Sequence, residues 1–100
     1  MNIIKEVNNS IVTLKLDGWL DTLAAPELGL AVEAIESADA IILDFDKVEY
    51  IASSGLRQVV ACHRKAKDIG AEFSLINAGN EIMSIFKLTG LDKKLTIKEK

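Results

Sequence analysis

The chain has one cysteine, Cys62, so no internal disulfide can form and no second thiol stands at metal-ligand spacing. A lone cysteine of this kind reads as a small buried residue. It has one proline, Pro26, and six glycines, too few for a Pro- or Gly-rich linker. Aromatic residues are scarce: Trp19, Phe45, Tyr50, Phe73 and Phe86. They offer little for stacking nucleic-acid bases. No apolar run approaches the roughly 20 residues of a membrane span. The start, Met1-Asn2-Ile3-Ile4-Lys5-Glu6, lacks the charged and apolar regions of a secretory signal. The expectation is a cytoplasmic protein without membrane insertion. Charge of one sign is also missing: the net charge is −3, and acids and bases are interspersed. Without a basic stripe, no nucleic-acid partner is expected. Lys93, Lys94, Lys98 and Lys100, broken by Glu99, read as a solvated end.

What is present suffices for one core. The chain of 100 residues is 49% hydrophobic, which predicts a single domain over residues 1–100. Ile3 to Val7 and Ser10 to Leu16 read as a hairpin, with Val12, Leu14 and Leu16 on one face and a turn at Asn8-Asn9. Trp19 to Ala25 reads as a loop, and Pro26 suits the first turn of a helix carrying Leu28, Ala31, Val32 and Ile35 inward. Ala40 to Phe45 is a short apolar run, expected to be a strand covered on both faces, followed by a loop from Asp46 to Tyr50. A second helix is predicted from Leu56 to Ile69, with Leu56, Val59, Val60, Cys62, His63, Ala66 and Ile69 inside. Arg57, Gln58, Arg64, Lys65 and Lys67 fall outside, and Gly70 fits the left-handed stop. Phe73 to Ile76 reads as a strand, Asn77 to Asn80 as a turn, Ile82 to Thr89 as a helix ended by Gly90, and Leu95 to Lys98 as a last strand. The order β-β-α-β-α-β-α-β predicts an α/β fold with helices packed on a mixed, partly parallel sheet.

The chemistry concentrates at Ala52-Ser53-Ser54-Gly55-Leu56, where strand and loop hand over to the second helix. A serine there can cap the helix. The same helix start, with free N–H groups and partial positive charge, suits a phosphoryl group. A hydrolytic pairing of Ser53 with His63 fails on geometry, since ten helical residues span about 15 Å. Asp44 and Asp46 lack further ligands and read as a solvated strand end rather than a metal site. The chain has no glycine-rich phosphate loop and no supported metal-binding acid pair. It is expected to be no enzyme, to need no cofactor, and to have no catalytic residues.

The chain resembles the anti-sigma-factor antagonists, the stand-alone STAS domains of bacteria. The likeness runs through Gly18-Trp19-Leu20-Asp21 with Ala25-Pro26-Glu27-Leu28, and through Ile42-Leu43-Asp44-Phe45 with Val48-Glu49-Tyr50-Ile51. It continues at Ser53-Ser54-Gly55-Leu56-Arg57, Glu72-Phe73-Ser74-Leu75, and Ile85-Phe86-Lys87-Leu88-Thr89-Gly90. The resemblance implies a partner-switching protein that binds an anti-sigma factor serine kinase and so controls sigma-factor-dependent transcription. The kinase brings ATP, phosphorylates the antagonist and is released, and a phosphatase resets the system. The matching acceptor is Ser53, with Ser54 the less favoured position. Asp21 matches the loop acid near the acceptor, and Ala52 stands where the family often has another acid. Trp19, Asp21, Ser53, Ser54, Gly55, Arg57 and Gln58 form the expected partner surface. In that surface Gly55 admits a partner backbone, and Trp19 is either an anchor or a core residue packed on the first helix. Asp21 is equally open to bonding its own loop's N–H groups. Stand-alone STAS domains also serve as unphosphorylated accessory subunits of ABC-type lipid transport complexes, which is the alternative reading.

Overall fold

The computed structural model describes all residues, 1–100. The elements are β1 (Asn2–Asn8), β2 (Ile11–Leu20), α1 (Ala25–Glu33), β3 (Ala40–Ile51), α2 (Ser53–Asp68), β4 (Glu72–Ala78), α3 (Asn80–Thr89) and β5 (Thr96–Glu99), with a 3-10 turn at Leu91–Lys93. The five strands form one sheet in the order β1-β2-β3-β4-β5. β1 and β2 pair antiparallel, and every later pair is parallel. The expected α/β order and mixed sheet are therefore present.

Local chemistry explains these elements. The hairpin turns at Asn9 and Ser10, both with positive φ (51° and 66°), one residue later than the Asn8-Asn9 turn expected. Two successive left-handed residues are what a tight two-residue hairpin loop requires. Val12, Leu14 and Leu16 are buried on one face of β2. α3 ends where Gly90 takes a left-handed conformation (φ 76°).

Each parallel crossover moves the chain one strand further in the same direction. Right-handed connections then put all three helices on one face of the sheet. Burial follows that arrangement. Ile41, Leu43 and Phe45 of β3 are buried, while Ala40, Ile42 and Asp44 between them are only half-buried. The expectation that this strand is covered on both faces is thus corrected: its partners pack on one side. A contiguous core of 22 buried residues lies between sheet and helices.

One expected loop is strand throughout, and the other, Trp19 to Ala25, is strand in its first two residues. Trp19 and Leu20 continue β2, pairing with Tyr50 and Ile51 of β3, so Asp46 to Tyr50 is not a loop either. β3 gains one extra residue against Lys15/Asp17 and another against Gly18/Trp19. These bulges break the two-residue alternation and space the buried residues Phe45, Val48 and Ile51 by three. Of the former loop, Val48 docks on the core and Tyr50 does not. β4 likewise runs to Ala78 through Asn77, which has positive φ (60°).

Candidate functional site

The carboxyl ends of β2 and β3, the loop after β2 and the start of α2 meet at one end of the sheet. The Ala52 N–H donates to the Leu20 carbonyl at 3.0 Å, which ties the start of α2 to the end of β2. α2 begins at Ser53, three residues earlier than the sequence suggests, because the Leu56 N–H already bonds the Ala52 carbonyl at 3.0 Å. The cap position therefore belongs to Ala52, and no side chain caps this helix. The expectation of a capping serine is corrected: Ser53 is the first helical residue, and its hydroxyl makes no hydrogen bond.

The two serines diverge. Ser53 is exposed. Ser54 is half-buried, and its Oγ lies 3.1 Å from Thr22 Oγ1, fastening the β2–α1 loop to α2. Only Ser53 offers a free hydroxyl at a helix start whose first turn contains no acid. The uncapped N–H groups and the helix dipole favour an anion there.

Gly55 is buried and faces this chain's own β2 rather than a partner. A Cβ at this position would run into the Leu20 carbonyl oxygen and sit 2.9 Å from Ile51 Cγ1 and Leu20 Cγ. The role expected for Gly55 at the partner surface is corrected accordingly. Gln58 is also turned inward, half-buried over Gly29 of α1, where an added Cβ would lie 2.9 Å from its Nε2. Its amide donates weakly to Cys62 Sγ at 3.9 Å. Lys65, expected outside, is half-buried and joins Glu33 at 3.2 Å.

Asp21 serves its own loop. Its Oδ1 accepts from the Leu23 N–H at 3.2 Å and the Ala24 N–H at 2.9 Å, bracing the entry to α1. No hydrogen bond joins it to Ser53. Asp44 accepts from Asn77 Nδ2 at 3.0 Å, and Asp46 pairs with Lys100 at 3.1 Å. His63 is half-buried against Phe73, with ring centroids 5.5 Å apart.

Trp19 does not pack on α1. It is 57% exposed, lies against Tyr50 with ring centroids 5.5 Å apart, and donates from Nε1 to Glu49 Oε2 at 3.4 Å. Tyr50 and Leu23 are exposed at the same end. Tyr50 and Leu23 were not in the expected partner surface. Tyr50 was hidden because its segment reads as a loop docked on the core.

Along α2 on the side toward α3 runs an open cleft of about 500 Å³. Ser53, Arg57 and Arg64 line it from α2, and Thr89 and Leu91 form the facing wall. Leu56 and Val60, expected inside, instead give it an apolar floor and remain half-exposed.

A family model of the STAS domain matches residues 2–100. The chain belongs to the STAS domain family. An anti-sigma-B factor antagonist of Listeria monocytogenes is 28% identical over 103 residues, covering 98% of this STAS domain and 90% of that protein. The crystal structure of an anti-sigma factor antagonist from Mycobacterium paratuberculosis superposes with a TM-score of 0.88 at 26% identity, covering 99% of this chain and 86% of that one. The Bacillus cell fate determinant SpoIIAA, in its phosphorylated form, shares the fold at 21% identity, with a TM-score of 0.75 over 96% of this chain and 90% of that one. No helix of the STAS domain described here is long and apolar enough to cross a membrane.

Proposed function

We propose that this STAS domain is a bacterial, cytoplasmic anti-sigma factor antagonist whose binding to an anti-sigma factor serine kinase is switched off by phosphorylation of Ser53. The observation that carries the reading is the free, exposed Ser53 hydroxyl on the first residue of α2, beside a Ser54 hydroxyl already engaged with Thr22. The relatives named as antagonists support it. So does the exposed apolar group of Trp19, Leu23 and Tyr50 at the same end, since large aromatic side chains supply most binding energy at interfaces.

The kinase supplies ATP. Ser53 Oγ attacks the γ-phosphorus, the new O–P bond replaces the bond to the departing ADP oxygen, and the hydroxyl proton passes to a base of the kinase. A phosphatase reverses the state with water, giving serine and inorganic phosphate. The phosphate adds about −1.5 to −2 charges. At the start of α2 an anion is locally favourable by about 0.3–1 kcal/mol, so the domain stays folded. The penalty falls on the complex, where like charges or an unpaired phosphate cost several kcal/mol. Each ~1.4 kcal/mol is tenfold in affinity.

The test combines the domain with a candidate kinase and ATP and maps the added phosphoryl group by mass spectrometry. Modification at Ser53 is expected, with Ser53→Ala binding the kinase and Ser53→Asp releasing it. Equal binding of these two variants would sink the reading. Absence of transfer from every sigma-factor-linked kinase is the outcome expected of a lipid-transport accessory subunit.

A further inference from the structure

We infer that Arg57 holds the phosphoryl group of phosphorylated Ser53, so that the modified chain clasps its new charge along α2. The inference rests on the phosphorylation reading above and adds where the phosphate goes. Ser53 and Arg57 stand one turn apart and line the same cleft. Side chains at that spacing have Cβ atoms about 5–6 Å apart, and an acid placed N-terminal to a base is the favourable order. In the unmodified chain neither Arg57 nor Arg64 makes an ion pair, although Lys15, Lys65, Lys87 and Lys100 each do. The facing wall is uncharged. It presents Leu91 and Thr89, whose hydroxyl is already given to the Ile85 and Phe86 carbonyls.

No carboxylate lines the cleft. Asp92 follows Leu91 without lining it, Asp21 is held by the N–H groups of Leu23 and Ala24, and Glu49 accepts from the Trp19 indole. A phosphate on Ser53 therefore meets uncapped helix N–H groups and one unengaged guanidinium, with no like charge on the walls. A guanidinium can bind it through two parallel N–H donors. Arg64 lies eleven residues further along α2, about 16 Å away, and is out of reach. Arg57 is thus a positioning residue for the modified state, and Arg64 is its internal control.

Phosphoserine incorporated at position 53 during synthesis of the full chain makes the test independent of any kinase. The readout is a phosphorus-31 NMR titration. Free phosphoserine loses its second phosphate proton near pH 6. A guanidinium beside it favours the dianion, so in the otherwise wild-type chain the midpoint is expected to fall by about 0.5–1 unit. Arg57→Gln is expected to return it toward 6, Arg57→Lys to keep part of the shift, and Arg64→Gln to keep all of it. Arg57 is exposed and unpaired in the unmodified chain, so thermal melts of these variants without the phosphate should match the parent. Identical titrations with and without the Arg57 side chain would overturn the inference, as would a shift abolished by Arg64→Gln alone. Kinase release by phosphorylation without an Arg57-dependent shift would overturn the clasp and leave the switch standing. An Arg57-dependent shift in a chain that no kinase modifies would do the reverse.

Discussion

At Gly55, two opposing effects of one methyl group can be weighed. Replacing a glycine in a helix interior with alanine gains about 0.5–1 kcal/mol, and Gly55, third residue of α2, can gain no more than that. Here the added Cβ would press on the Leu20 carbonyl and approach Ile51 Cγ1 and Leu20 Cγ at 2.9 Å. The Leu20 carbonyl cannot retreat freely, because it lies in β2 and accepts from Ala52 at 3.0 Å. Overpacking of this kind costs about 1–3 kcal/mol, so it outweighs the propensity gain. Gly55→Ala is expected to lower the Tm, by roughly 4–8 °C for each net kcal/mol lost. A melt at or above the parent's would contradict the close approach. Cys62 gives a second residue-scale prediction. Burial pushes its thiol up from 9.0 to about 11, partly offset by the bond from Gln58. Above pH 9 the unfolded chain therefore loses this proton while the folded chain keeps it. Stability from this group is intact below pH 9 and falls between pH 9 and 11, by up to roughly 1.4 kcal/mol per pH unit. Denaturant unfolding across that window should show a steeper decline for the parent than for Cys62→Ala; equal slopes would refute it.

At the level of elements, the two bulges in β3 do the most to shape the site. They add residues to β3 against β2 and bring Tyr50 opposite Trp19, both exposed beside the start of α2. An exposed tryptophan backed by a second ring and fixed by a bond to Glu49 is a preorganised anchor. On the proposed function, Trp19→Ala is expected to weaken kinase binding by about 2 kcal/mol or more, roughly 30-fold, while loss of the Tyr50 contact, about 0.5–1.5 kcal/mol, lowers the Tm by a few degrees. Calorimetric titration checks the first part and a melt the second. The sequence made the helices and the hairpin legible, because Val12, Leu14 and Leu16 alternate and Val59, Cys62 and Ala66 repeat at helical spacing. The length of β3 was not legible, because Phe45, Val48 and Ile51 follow a three-residue spacing that only the pairing with β2 explains. For the same reason the sequence hides Tyr50 and makes Trp19 read as loop. Ser53 stands out in the sequence by its position, yet its status as first helical residue rather than cap depends on Ala52, whose carbonyl opens the helix. The inward turn of Gly55 and Gln58 depended on how closely α2 approaches Leu20 and Gly29, which side-chain periodicity does not encode.

For the molecule as a whole, the core is continuous and the site is peripheral. The 22 core residues join β2, β3 and β4 to all three helices, so the domain should unfold as one cooperative unit. The Ser53 end touches that core through Gly55, which leaves no room for a Cβ against Leu20 and Ile51. A phosphate on the exposed hydroxyl adds charge outside that contact and asks for no repacking within it. Its effects should stay where its possible partners are: the first turns of α2, the β2–α1 loop fastened by Thr22 and Ser54, and the cleft wall at Thr89 and Leu91. Hydrogen–deuterium exchange of the chain with and without phosphate at Ser53 tests this directly. Slower exchange is expected in the first turn of α2, because uncapped N–H groups gain an acceptor. The β1–β2 turn at Asn9 and Ser10 should exchange identically in both states, as should the paired centre of β3 and β4 at Leu43 and Leu75. Altered protection at that turn or in those strands would mean that the modification propagates through the fold, and release of a partner would then have to be explained by a change of shape rather than of surface charge.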